Sequence, residues 1–132
     1  MTAVVTESTV TGMLVRCELV DAVATITLAS TANRNALSIA LVDEVHNALD
    51  EAERAIAGDG VRAIVLTHEP PAFCSGADLK ERAAGRIETK PVARLFRRLM
   101  DVAVPTIAAV DGPVRAGGIG LMASCDLVVL SS

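Results

Sequence analysis

Tryptophan and tyrosine are absent from the 132 residues, and phenylalanine occurs only twice. Base-stacking platforms need aromatic faces, so this scarcity argues against nucleic-acid binding. An excess of positive charge is also missing. The net charge is −4, whereas a phosphate-backbone binder is usually basic. The three cysteines, Cys17, Cys74 and Cys125, are odd in number, widely spaced and without a CxxC. A disulfide framework or a metal site is therefore not expected. The N-terminal MTAVVTESTVTG has neither a basic start nor a long apolar core, unlike a signal peptide. The longest apolar runs are broken by Pro105, Asp111 or Asp126, well short of a membrane span. These absences predict a cytoplasmic chain with no membrane partner and a flexible N-terminal tail over residues 1–12.

What is abundant is aliphatic. Hydrophobic residues make up 52% of the chain, so the core is expected from Ala, Val, Leu and Ile. One domain of this size buries roughly 68% of the surface its unfolded form exposes. Residues 13–19 (MLVRCEL) and 23–29 (VATITLA) flank Val20-Asp21-Ala22 and read as a β-hairpin. STANRN (30–35) reads as a polar loop. Ser38 is placed to cap a helix, with Asp43 and Glu44 early in it, where its dipole favours negative charge. Leu41, Val42, Val45, Leu49, Ala52 and Ile56 recur at spacings of three and four as its apolar face, and Gly58 is a stop signal. Residues 61–67 (VRAIVLT) read as a strand covered on both faces. Asp78 and Glu81 have the spacing of a capping box. A helix from about Pro91 carries Val92, Leu95, Phe96 and Leu99 on one face. TIAAV (106–110) is another strand, the glycines of PVRAGGIGL (113–121) open a short helix, and DLVVL (126–130) is a final strand. Alternating strands and helices imply an α/β fold with parallel pairing. The chain stops after a strand, which is expected to find its cover elsewhere.

Two strands lead into similar loops, AFCSGADLKE (72–81) and DGPVRAGGIG (111–120). Each sets small residues at a helix start, where unpaired N–H groups favour an anion or a developing oxyanion. Glycines that only make tight turns are the plainer reading. Neither loop is GxGxxG or GxxxxGK[ST], which weakens a nucleotide-binding reading. Cys74, six residues after His68, suggests a thiol with a base, although a buried small residue and a solvated histidine explain the pair more simply. His46 reads as a surface or rim residue and Arg97-Arg98 as a solvated face. Asp78 is explained by capping, Asp111 by a turn and Asp126 by a strand start. Arg115 either meets an anion or covers a helix end.

NRNALS, AFCSGADLKE and VDGPVRAGGIGLMASCDLVV, in this order, resemble the crotonase family, also called the enoyl-CoA hydratase/isomerase family. The resemblance runs from about Met13 to the end. It implies that residues 13–132 are the N-terminal part of a spiral of ββα repeats, incomplete at the C-terminus, from a family that assembles as trimers or hexamers. It implies an acyl-CoA thioester as substrate and no further cofactor. By position in the motifs, the N–H groups of Ala77 and Gly117 would form the oxyanion hole that stabilises a thioester enolate. Ala36, Ser75 and Leu79 would lie near the adenosine part of CoA, and Lys80 would reach its phosphates. The family's first catalytic glutamate falls at Gly120 here, and its second beyond Ser132. The resemblance therefore implies an enoyl-CoA hydratase-like enzyme completed by a part not present. The alternatives are an acyl-CoA binder without the chemistry, or a fragment needing a partner chain.

Overall fold

The structure is a computed structural model and describes residues 5–6, 14–86 and 88–132. Its sheet has six strands in sequential order: β1 (Val5–Thr6), β2 (Val15–Val20), β3 (Val23–Leu28), β4 (Ala63–His68), β5 (Thr106–Val110) and β6 (Leu127–Leu130). β2 and β3 form the expected hairpin, closed by the Val20–Val23 pair, with Asp21 in the turn at φ +55°. β1 adds antiparallel to β2. The rest of the predicted tail lies outside the described residues. From β3 onward every pairing is parallel. Such pairing requires crossovers, and four helices provide them: α1 (Ile39–Gly58), α2 (Leu79–Ala83), α3 (Thr89–Asp101) and α4 (Gly117–Ala123).

Register explains which face is buried. Ile26 aligns with Leu66 and Leu66 with Ala108, while Ala24 aligns with Ile64. These side chains share one face and join a single core with Leu41, Val45 and Leu49 of α1 and Leu95 and Leu99 of α3. Each fully buried Leu, Ile or Val contributes about 1.5–3 kcal/mol. The opposite face departs from expectation. Ala63, Val65 and Thr67 of β4 are only half-buried, because the helices pack on the side carrying Ile64 and Leu66. All four residues of β6 are exposed, Leu127 at 59% and Leu130 at 64%.

Helix ends account for most other differences. Ser38 caps α1 as predicted, its Oγ accepting from Leu41 N at 3.0 Å. Asp43 and Glu44 lie beyond the first turn of α1, where the dipole's influence has faded. Glu44 instead accepts from Leu14 N and Val15 N at 2.9 and 3.1 Å, fastening α1 to β2. Gly58 is the last residue of α1 rather than a residue beyond it, and Asp59 is the cap. Arg98 is not on a solvated face. Its Nη1 donates to His46 Nδ1 at 3.0 Å, and its Nη2 meets Asp50 and Glu53. His46 Nε2 donates to Pro91 O at 3.0 Å, so His46, at the rim as expected, also joins α1 to α3. Arg97 is exposed as expected. Among the described residues no helix is long and apolar enough to cross a membrane.

Candidate active site

Parallel strands β3, β4 and β5 all point their C-terminal ends the same way, the end where α/β sheets carry their ligands. The loops leaving those ends are stitched together through their backbones. Phe73 N donates to Pro113 O at 3.1 Å and Arg115 N to Cys74 O at 3.0 Å. On the other side, Ser75 N donates to Arg34 O at 3.1 Å and Leu37 N to Gly76 O at 2.7 Å. Side chains lock the same contacts. Asn35 is buried, with its Nδ2 on Ala72 O at 2.9 Å, and Asn33 Nδ2 reaches Asp78 Oδ2 at 3.1 Å. The NRN segment, a polar loop as expected, is the clamp that holds the AFCSGAD loop.

Glycine is required where the loops meet. Gly76 has φ +92°, and a Cβ there would sit 2.9 Å from Ala116 Cβ and 3.2 Å from Gly117 N. A Cβ on Gly118 would sit 2.5 Å from Cys74 O. The glycines are therefore more than turn-makers: they let the start of α4 lie directly on the β4 loop. Ala116, just before α4, has φ +50° and ψ −122°, a sparsely populated conformation for a residue with a Cβ, of a kind that costs about 1–3 kcal/mol.

That close approach brings Ala77 and Gly117 to the wall of one cavity of about 470 Å³. Leu37, Val42, Val92 and Phe96 make the wall apolar. Among the described residues, neither the Ala77 N–H nor the Gly117 N–H donates to a protein acceptor. Charged residues of both signs also line the cavity: Asp43, Asp78, Glu81 and Glu88, with Arg82 and Arg86. Asp78 caps α2, accepting from Glu81 N at 3.0 Å, and this bond holds its carboxyl below the usual carboxylate range. Glu81 does not return to Asp78 as a capping box would. It accepts from Ile39 N at 3.0 Å, because the start of α1 lies alongside. Asp43 and Glu88, which sequence reasoning did not connect with a site, line the cavity because α1 and α3 pack beside each other.

The other predicted residues are more dispersed. Gly120 lies one turn along α4 from Gly117, with its missing side chain's space filled by the Phe96 ring. Ser75 lines a second, smaller cavity of about 230 Å³ beside Arg34 and Arg115. Ala36 is buried, Leu79 is 77% exposed, and Lys80 is exposed on α2. Ala36, Leu79 and Lys80 line neither cavity.

Cys74 and His68 do not form a thiol–base pair. Burial pushes the Cys74 thiol up to about 11. His68 Nε2 accepts from Asp111 N at 2.8 Å and Nδ1 donates to Glu69 O at 3.0 Å, so the ring is engaged rather than solvated. Asp111, besides making its turn, accepts from Ser131 Oγ. Asp126 accepts from Thr106 N at 2.9 Å, tying the start of β6 to β5.

Residues 18–132 match the sequence pattern of the enoyl-CoA hydratase/isomerase family. The chain belongs to that family. It is 43% identical over 116 residues to a Thermus thermophilus protein bearing an enoyl-CoA hydratase name, covering 82% of this chain and 45% of that one. The crystal structure of an enoyl-CoA hydratase from Mycobacterium avium is similar at a TM-score of 0.77 and 38% identity, over 92% of this chain and 49% of that one. Methylmalonyl CoA decarboxylase, crystallised with 2S-carboxypropyl CoA, is similar at a TM-score of 0.80 and 25% identity, over 91% of this chain and 47% of that one. The chain thus spans about half the length of these crotonase-family relatives, and its sheet and helices follow the crotonase fold.

Proposed function

We propose that the cavity beside Ala77 and Gly117 binds the carbonyl end of an acyl-CoA thioester. The observation that carries this reading is the pair of unpaired backbone N–H groups on the wall of one apolar cavity. Such donors favour negative charge on a carbonyl oxygen. Enolisation of a thioester develops that charge, and removal of one such donor costs about 2.7–4 kcal/mol in other enzymes. The relative crystallised with 2S-carboxypropyl CoA has the same fold, which supports a CoA thioester as the ligand. The adenosine part would then pass along Ala36, Ser75 and Leu79, with Lys80 near the phosphates. As part of a full-length enzyme, the site would serve enoyl-CoA hydration or isomerisation, in a trimer or a hexamer.

Thermal melting with and without acetoacetyl-CoA tests the reading. A ligand that binds only the folded state stabilises it by about 2.7 kcal/mol at a hundredfold excess over its dissociation constant. A rise in melting temperature that saturates with ligand is expected. An unchanged melt at millimolar ligand in a folded sample would overturn the proposal.

A second reading, acyl-CoA binding without hydration, is favoured by Gly120. It has no titratable group, and general acid–base catalysis contributes about 10²–10⁴-fold. Loss of the enoyl-thioester absorbance of crotonyl-CoA separates the two readings. Steady loss with the full-length protein supports the hydratase, and binding without loss supports the carrier.

A further inference from the structure

We propose that Phe96, seated on Gly120, determines which acyl groups the cavity accepts. This inference rests on the thioester reading above. The chain has two phenylalanines. Phe73 is fully buried in the core, so Phe96 is the aromatic ring that remains for a ligand to meet. It is half-buried on α3 and lines the cavity together with Ala77 and Gly117. A Cβ built on Gly120 would lie 2.7 Å from Phe96 Cε2 and 3.1 Å from its Cζ. The tip of the ring therefore occupies the place a side chain at position 120 would take, against the backbone of α4.

The distance to the reacting end follows from helix geometry. Residues three apart are neighbours on one side of a helix, about 5–6 Å between Cβ positions, so the ring tip sits one turn from Gly117. A thioester oxygen held at the Gly117 N–H brings the first carbons of its acyl group alongside this ring. The ring is backed by Gly120 on one side, and the buried Leu95 and Leu99 fix the helix that carries it. Val92, one turn earlier on α3, continues the apolar wall. An aromatic wall at this point favours a narrow acyl chain over a broad one. The ring takes up space beside Gly117 that a second ring on the acyl group would need.

The test compares crotonyl-CoA with cinnamoyl-CoA, which carries a phenyl group where crotonyl has a methyl. Dissociation constants are measured by calorimetry on the full-length protein. The native protein is expected to prefer crotonyl-CoA. Phe96→Ala opens a ring-sized space and is expected to shift the ratio of the two constants toward cinnamoyl-CoA by about tenfold or more, since one methylene in an apolar pocket already discriminates about 10–200-fold. Phe96→Leu, which preserves more of the core packing, should shift it the same way by less, and decides the matter if Phe96→Ala does not fold. A ratio that stays within about twofold of the native one while both thioesters still bind would overturn the role of Phe96. Failure of the native protein to bind either thioester would instead remove the thioester reading, and this inference with it.

Discussion

Single residues decide whether the two loops can touch. Gly118 is the sharpest case, because a methyl group there would lie 2.5 Å from the Cys74 carbonyl oxygen and 2.9 Å from Cys74 Cβ. Neither atom can swing away, since one is backbone and the other is attached to it. Gly118→Ala is expected to lower stability by about 1–3 kcal/mol, the range for overpacking. It should also abolish the acetoacetyl-CoA shift, because α4 must move off the loop and take the Gly117 N–H with it. Urea unfolding and the ligand melt read the two effects separately. A variant with native stability and a native ligand shift would show that the contact is not needed. At the same scale, burial pushes the Cys17 and Cys125 thiols up to about 11, as it does that of Cys74. All three therefore stay protonated at neutral pH and serve as small core side chains, not as nucleophiles.

At the scale of elements, caps and crossings hold the helices in register with the sheet. α2 is only five residues long and depends on its Asp78 cap. Asp78→Ala is expected to cost about 0.5–2 kcal/mol, as loss of an N-cap does, measured by chemical denaturation. The pH dependence follows from the lowered Asp78 pKa, caused first by the bond from Glu81 N. A carboxylate held below its unfolded value, about 3.9, contributes stability above that value, and the contribution is lost as pH falls through the lower folded value. The difference between native protein and Asp78→Asn should therefore be full near neutrality and shrink in acid. A difference that grew as pH fell would contradict the sign. Much at this scale was legible in advance. The hairpin, the Ser38 cap and the α1 face all followed from period and capping chemistry. The uses of Glu44, Glu81, His46 and Arg98 did not, because each bonds to an element at least 29 positions away in the chain.

At the largest scale, β6 forms an apolar edge of the sheet among the described residues. Leu127, Val128, Val129 and Leu130 are exposed at 59, 40, 58 and 64%. Their outer backbone groups form a template for another strand, as an edge strand does unless blunted by charge, proline or cover. A polypeptide of these 132 residues alone is expected to self-associate in a concentration-dependent way. Light scattering across a dilution series checks this, and a monodisperse monomer at every concentration would refute it.

Local pattern was enough to determine β2 to β6, the helices, their order and the parallel pairing, but not β1, which falls in the segment read as a tail. The family resemblance carried by the contiguous segments AFCSGADLKE and PVRAGGIGL marked Ala77 and Gly117. Only the tertiary structure decided that the two N–H groups share a cavity, that Asn33 and Asn35 clamp the loop between them, and that Phe96 stands in the space left by Gly120. The physical reason is distance along the chain. Hydrophobic period and capping act within a few residues, where sequence spacing is spatial spacing. The cavity is made by α1, α3 and three strand-end loops, whose juxtaposition depends on strand register and on the absence of Cβ atoms at Gly76 and Gly118.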